Sequence, residues 1–249
     1  LTKYAYCLNK HSDNIEAKSI CFRPHPFNYS LQHNYDLHFC SEEQKLEAKQ
    51  FLEESDVIIF GEEGHPLEPT YRALREFSNL LGLDLINSNK KLCIWHAGTH
   101  YRQNYQFYNN HPLRSKIHKH LYAFDLYRLS NKTNVDLPFL VYNYINFNKE
   151  QLINNFKNKL KVSKKIICHI PSNPSIKGTD VINKSMVNLP SNLSFFTTTN
   201  IPHAEAIKYK SKSLFYIDQF NTLGTYGVAA IEAILNSNIV FCTLHNTAE

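Results

Sequence analysis

Residues 165–182, KIICHIPSNPSIKGTDVI, combine an apolar run, a polar stretch and a lysine just before a helix start. We predict a buried strand over Ile166–Ile170, a polar loop over Pro171–Gly178 and a helix that begins at Thr179 or the next residue. The free N–H groups of a first helical turn attract anions, and the Lys177 ammonium could reach a phosphate there. The stretch therefore predicts an anion site. An ordinary strand–helix turn with a solvated lysine is the alternative that it leaves open.

A second stretch with chemical potential is DQFNTLGTYGVAAIEAILNSNIVF, residues 218–241. Gly224 and Gly227 flank the start of a predicted helix, where the absence of a Cβ lets backbone N–H groups approach a ligand closely. Glu232 lies in that helix among alanines, and burying an unpaired carboxylate is costly. Glu232 therefore either faces solvent or binds a ligand hydroxyl, and the periodicity favours the solvent face.

Short apolar runs alternate with helical patterns in both halves of the chain, which predicts an α/β fold with parallel strands buried on both faces. The predicted strands are Ile15–Phe22, Asp56–Phe60, Leu92–Trp95, Ala123–Leu129, Ile166–Ile170, Leu193–Thr197, Leu214–Ile217 and Ile239–Thr243. The predicted helices are residues 2–10, Glu42–Glu54, Thr70–Leu81, Pro112–Leu121, Lys149–Leu160, Asp180–Asn188, Pro202–Tyr209 and Tyr226–Leu235.

Each half is predicted to form one Rossmann-like, doubly wound domain. We place an N-terminal domain at residues 1–145, a linker rich in Asn, Lys and Tyr at 146–164, and a C-terminal domain at 165–249. No strand precedes the opening helix and no helix follows the last strand, so we expect the chain to be truncated at both ends. In such sheets ligands bind outside the carboxyl ends of the strands. That rule selects four loops, which are Gly61–Pro69, His96–Arg102, Pro171–Gly178 and Asp218–Gly227.

The composition and net charge indicate which classes of protein the sequence fits. A chain of 249 residues with 43% hydrophobic residues is typical of a folded protein. The net charge of +5 is scattered along the chain, which suits anionic small molecules or a membrane surface better than nucleic acid. No apolar run approaches the ~18 residues of a spanning helix. We expect a cytoplasmic protein, and peripheral association with the inner face of a membrane is left open.

Absent motifs and the placement of the cysteines disfavour further classes of protein, among them P-loop NTPases. The P-loop, G-x-G-x-x-G, H-E-x-x-H and G-x-S-x-G patterns are all absent from the sequence. The six cysteines are spread singly with no C-x-x-C pair, which predicts small buried thiols in a reducing compartment rather than a zinc site or a disulfide framework.

HIPSNPSIKGTDVI, then HAE at residues 203–205, then YIDQFNTLGTYGVAAIEAILNSNIVF together resemble the C-terminal half of GT-B glycosyltransferases of the family 4 kind. The upstream segments DVIIF and KKLCIWHAGTHYR look like the matching N-terminal half, so the resemblance runs from about Cys21 to the end. It implies two Rossmann-like domains facing a cleft. It also implies metal-independent, retaining transfer of a sugar from a nucleotide diphosphate donor, without a cofactor, to a glycan or lipid-linked acceptor, as in surface polysaccharide or glycoconjugate synthesis.

The resemblance also implies roles for individual residues. Lys177 would hold the donor diphosphate, Glu232 the ribose hydroxyls, and the backbone around Gly224–Gly227 would lie near the sugar or phosphate. The donor-binding set is Ser172, Asn173, Lys177, Gly178, Gly224, Tyr226, Gly227 and Glu232. The acceptor-side set is His96, Gly98, Thr99 and Arg102. His96 and Arg102 are the catalytic candidates, although a core position for His96 is an equal alternative.

The sequence departs from the family pattern at two positions. The glutamate that family members commonly carry eight residues before the ribose-binding one is Gly224 here, and an arginine common about five residues before the lysine is Ser172. Two other functions therefore stay open. One is a nucleotide-sugar epimerase on the same fold, and the other is a non-catalytic protein that binds nucleotide sugars or glycans.

Overall fold

The computed structural model describes residues 2–22, 33–62, 71–96, 98–123, 126–131, 136–139, 148–220 and 226–243. The described residues divide into two compact units, the first ending at residue 139 and the second beginning at residue 148. Each unit contains parallel strands and helices. The predicted α/β class with parallel sheets is therefore confirmed. Within the described ranges, no helix combines the length and the apolar character needed to cross a bilayer.

The first unit contains a four-stranded parallel sheet and a separate parallel pair of short strands. Its helices are α1 (Thr2–His11), α2 (Glu42–Glu54), α3 (Arg72–Leu81) and α4 (Gly98–Asn109). Its strands are β1 (Ile20–Cys21), β2 (Tyr35–Asp36), β3 (Val57–Glu62), β4 (Lys91–His96), β5 (Lys119–Ala123) and β6 (Asp136–Phe139). The sheet order is β3-β4-β5-β6, so these four strands lie side by side in chain order and their order does not reverse.

Local signals in the sequence fix the start of α2 and the end of α3. Ser41 accepts a hydrogen bond from the Gln44 backbone N–H, and the Gln44 side chain accepts one from the Ser41 N–H, so a capping box begins α2. Gly82 ends α3 in the left-handed region, at φ 64°. Buried Ala48 and Leu52 place the apolar face of α2 against the core.

The region around β5 corrects two predictions. The helix expected at Pro112–Leu121 is wrong, because only Arg114–Lys116 forms a short 3-10 turn and β5 begins at Lys119. The strand expected at Ala123–Leu129 is also wrong, since Leu126–Leu129 is a 3-10 helix. The first of these errors arises because His120, a polar residue, occupies a buried position in β5.

The second unit contains a sheet of four parallel strands in the order β10-β9-β7-β8. Its strands are β7 (Lys165–His169), β8 (Leu193–Thr197), β9 (Phe215–Gln219) and β10 (Ile239–Cys242), close to the predicted runs. Its helices are α5 (Lys149–Lys161), α6 (Pro174–Lys177), α7 (Thr179–Ser185), α8 (His203–Lys212) and α9 (Val228–Leu235). The chain passes from β7 to β8 on one side and then returns to β9 on the other. The direction of winding therefore reverses between β7 and β9, the position where such sheets bind ligands.

Helix α5 lies in the stretch that we expected to link two domains, and it packs on the second unit. The Lys159 Nζ donates to the carbonyl of Lys210, at 3.0 Å, and to that of Asn236. The Ser237 Oγ donates to the Leu152 carbonyl at 2.8 Å. The Lys159 ammonium therefore joins α5 to the C-terminal ends of α8 and α9, where helices leave carbonyls without intrahelical partners.

Candidate functional site

A pocket of about 210 Å³ opens at the carboxyl ends of β7 and β9, where the winding of the second sheet reverses. The loop after β7, the first turns of α8 and α9, and Lys177 form its walls. Its lining residues are Ile170, Pro171, Ser172, Lys177, Asn200, Ile201, His203, Ala206, Lys210, Asp218, Val228, Ala229 and Glu232. The pocket therefore combines three members of the expected donor-binding set, Ser172, Lys177 and Glu232, with charged residues that the sequence analysis did not select.

Lys177 is positioned by a helical turn inside the segment that we predicted to be a loop. The Asn173 side chain accepts a hydrogen bond from the Ile176 N–H and so caps α6, with Pro174 in its first turn. Gly178 follows in the left-handed region, at φ 69°, and begins α7 at the predicted place. A Cβ at Gly178 would lie 2.2 Å from the Phe220 carbonyl oxygen, so only glycine lets this turn approach the end of β9.

The Lys177 ammonium is held by residues at the end of β9. Its Nζ lies 3.0 Å from Asp218 Oδ1 and 2.7 Å from Gln219 Oε1. The Asp218 side chain is only 1% exposed, and its Oδ2 accepts a hydrogen bond of 2.9 Å from the Gly227 N–H. Asp218 therefore connects Lys177 to the beginning of α9. The Lys177 side chain is 17% exposed and paired, so it is not a solvated lysine.

Glu232 is held in the pocket by two residues of α8. Its Oε1 lies 2.7 Å from His203 Nε2, and its Oε2 lies 2.7 Å from Lys210 Nζ. Burial acts to raise the pKa of Glu232, but the His203 hydrogen bond and the Lys210 charge outweigh it and lower the pKa to about 2. The preference for the solvent face is therefore wrong, because the side chain is 14% exposed and ionically paired.

Lys210 is one of the residues of this site that the sequence analysis did not select. It is 2% exposed, and its Nζ lies 5.1 Å from the centre of the Tyr216 ring. Lysine is rarely buried unless it is paired. The residue type therefore gave no reason to expect Lys210 in a buried site. The available signal was spacing, because residues seven apart share one face of a helix and His203 and Lys210 are so placed.

The remaining residues of the donor-binding set occupy varied positions. Asn173 caps α6 and also accepts a hydrogen bond from the Ser175 hydroxyl at 2.8 Å. Gly227 precedes α9, and a Cβ there would lie 3.3 Å from Lys177 Nζ. Tyr226 is 40% exposed. Gly224 lies outside the described residues.

The acceptor-side residues follow β4 in the first unit. His96 is the last residue of β4 and is 1% exposed. Gly98 and Thr99 begin α4, so the polar cluster expected as a loop is helical after residue 97, and Arg102 lies in the same helix, partly buried. His96 stacks on Tyr122 with their ring centres 4.9 Å apart. The core alternative therefore describes the position of His96.

His96 belongs to a buried pair of histidines whose tautomers can be assigned. His96 Nε2 lies 3.0 Å from His120 Nδ1, and Arg114 Nη1 lies 3.3 Å from the same atom. A guanidinium can only donate, so His120 Nδ1 accepts and His96 Nε2 carries a proton. Burial, followed by the neighbouring charge of Arg114, lowers the pKa of His120 to about 3. Burial is also the main cause that lowers the pKa of His96 well below 6.5.

In the part of the chain that the structure describes, no group of three or more His, Cys, Asp or Glu residues could hold a metal ion. Three comparisons, with protein-family models, with curated proteins and with solved structures, found no match to this chain. The resemblance to GT-B glycosyltransferases therefore depends on the sequence segments that carry it.

Proposed function

We propose that the chain is a glycosyltransferase that takes a sugar from a nucleotide diphosphate donor, and that the pocket between β7 and β9 binds this donor. The observation that carries the proposal is the position of the pocket. It lies where the winding of a parallel sheet reverses, and a lysine and a glutamate are among its lining residues. A nucleotide diphosphate offers a charged diphosphate to the lysine and ribose hydroxyls to the carboxylate.

The Lys177 ammonium has donor capacity for such a ligand. An ammonium carries three N–H donors, and Asp218 and Gln219 accept from it in the structure. A third donor is therefore available for a phosphate oxygen. The backbone at the start of α9 supports this assignment, because Val228 and Ala229 line the pocket and the first turn of a helix has free N–H groups.

The Glu232 carboxylate keeps acceptor capacity in the same way. Each carboxylate oxygen can accept about two hydrogen bonds. His203 bonds Oε1 and Lys210 bonds Oε2, which leaves lone pairs on both oxygens for ligand hydroxyls. The two α8 residues also keep the carboxylate ionised, because they lower its pKa against the effect of burial.

The proposed chemistry breaks the bond between the sugar and the diphosphate, so negative charge develops on the leaving group. The Lys177 ammonium and the positive end of α9 would stabilise that charge without reorganisation. Removing one charge-assisted hydrogen bond from such a site costs about 1.5–3 kcal/mol, or about 10–150-fold in binding or rate. Arg102 remains the candidate on the acceptor side.

The test compares Lys177→Gln with Lys184→Gln. Glutamine at 177 can still donate to Asp218, so the buried carboxylate keeps a partner, whereas Lys184 is exposed on α7 and supplies a matched loss of charge. We expect UDP or GDP to raise the thermal unfolding temperature of the unchanged chain and of Lys184→Gln, and to lose this effect on Lys177→Gln. Equal stabilisation of both variants would remove Lys177 from the site.

Turnover assays with labelled nucleotide sugars then separate the functions. Acceptor-dependent release of the nucleotide indicates a transferase. Isomerised donor in the absence of acceptor indicates an epimerase, and binding without either product indicates a non-catalytic binding protein.

A further inference from the structure

Helix α5 presents an asymmetric surface to solvent. Leu152, Phe156 and Lys159 lie on its packed side, three or four residues apart. On one side of that packed face, helical periodicity places Lys149, Ile153, Lys157, Leu160 and Lys161 together. We call these five residues the lysine-rich flank. All of them are exposed.

The opposite side of α5 has no charge. It carries Gln151, Asn154, Asn155 and Asn158, whereas Glu150, the one acidic residue of the helix, lies between Lys157 and Lys161 on the lysine-rich flank. The exposed charges of α5 are therefore concentrated on a single flank.

Aliphatic side chains are exposed between the lysines. Ile153 is 39% exposed and Leu160 is 46% exposed, and both lie on the lysine-rich flank. The surface continues past the end of the helix, where Val162 is 54% exposed and is followed by exposed Lys164. The Lys165 Nζ donates to the Val162 carbonyl at 3.0 Å and fixes this exit turn.

We propose that the lysine-rich flank, together with Val162 and Lys164, docks on an anionic lipid surface. Basic and apolar side chains on one face of a helix are typical of helices that lie in the plane of a bilayer interface. The lysines would bind lipid phosphates while Ile153 and Leu160 enter the boundary with the acyl chains. Nucleic acid is the weaker occupant, since phosphate contacts would use the lysines and leave the aliphatic side chains in water. This inference does not depend on the proposed transferase activity.

The expected strength follows from the number of lysines. Each lysine near an anionic membrane strengthens binding by about fivefold. Replacing Lys157, Lys161 and Lys164 by glutamine should therefore weaken the partition onto anionic vesicles by about 100-fold. Replacing Ile153 and Leu160 by glutamine should also weaken the partition onto vesicles. The charge does not change, but the apolar surface that would enter the bilayer is lost.

The experiment is co-sedimentation of the full chain with vesicles of phosphatidylcholine, with and without phosphatidylserine. The matched control is Lys10→Gln/Lys91→Gln/Lys116→Gln, which removes the same charge from exposed positions of the first unit. Circular dichroism checks that every variant is folded. We expect the unchanged chain and the control to sediment with phosphatidylserine vesicles and to stay in solution with phosphatidylcholine alone.

Three results would overturn the proposal. The first is an unchanged partition of the triple lysine variant. The second is an equal loss in the control, which would show that net charge rather than this flank is responsible. The third is binding of the flank to a single-stranded RNA homopolymer with no binding to anionic vesicles.

Discussion

Replacing Glu232 with glutamine should destabilise the second unit by about 3 kcal/mol at neutral pH. The carboxylate bonds His203 and Lys210 at 2.7 Å each, and Lys210 is 2% exposed. A glutamine of the same shape accepts from one partner only, so its amide N–H₂ would face the other donor. The buried ammonium would also lose its counter-charge, which is costly inside a protein.

The magnitude comes from the ionisation of Glu232. Its pKa falls from an ordinary 4.5 to about 2 in the folded chain. At about 1.36 kcal/mol for each pH unit, this difference corresponds to about 3 kcal/mol of stability. Because the folded-state pKa is lowered, the contribution is complete above about pH 5 and is lost as the pH falls from 4.5 through 2. About 1 kcal/mol of this should be lost by pH 3.5.

The assay follows urea unfolding of the unchanged chain and Glu232→Gln at pH 7 and pH 3.5. The single tryptophan, Trp95, lies in the first unit, so amide hydrogen exchange of peptides from α8 and α9 is the readout for the second. Glu205→Gln, an exposed glutamate of α8, is the matched control and should change stability by less than about 0.5 kcal/mol. A difference between the unchanged chain and Glu232→Gln that stays constant between the two pH values would refute the ionic pairing of Glu232.

Two further predictions concern Gly178 and His120. Gly178→Ala should lower the free energy of unfolding by more than about 2 kcal/mol, because the left-handed backbone and the Phe220 carbonyl both oppose a Cβ. Gly82→Ala, with a similar φ but no close backbone atom, should lower it by about 1 kcal/mol. Equal losses in denaturant unfolding would contradict the close approach of Gly178 to Phe220. NMR titration should find His120 neutral down to about pH 4. Because only the unfolded chain gains this proton as the pH falls below 6.5, the stability of the folded chain should decline in that range. A titration midpoint of His120 near pH 6.5 would contradict its burial.

The sequence predicted the second unit better than the first for a physical reason. Strands β7 to β10 are short apolar runs bounded by turn residues, the pattern of parallel strands buried on both faces. β5 contains Lys119 and His120, and it was mistaken for the end of a helix. The burial of His120 depends on Arg114 and on His96, which lies 24 residues away in the sequence. Such a distant contact has no local signature.

The candidate site was predictable in part. Lys177 could be selected because a strand, a polar turn and a helix start surround it, which is local information. Its partners Asp218 and Gln219 are 41 and 42 residues away, and they meet Lys177 because β9 pairs with β7. That pairing requires the strand order, which the sequence pattern does not specify. Lys210 escaped selection because lysines are usually exposed.

Lys210 has a second consequence, which concerns movement. Its side chain bonds Glu232 of α9, and its backbone carbonyl accepts from Lys159 of α5. Helices α5, α8 and α9 are therefore fastened through one residue. A displacement of α8 at the pocket must either move α5 as well or break one of these two hydrogen bonds. Lys210 therefore couples movement of the pocket wall to movement of α5.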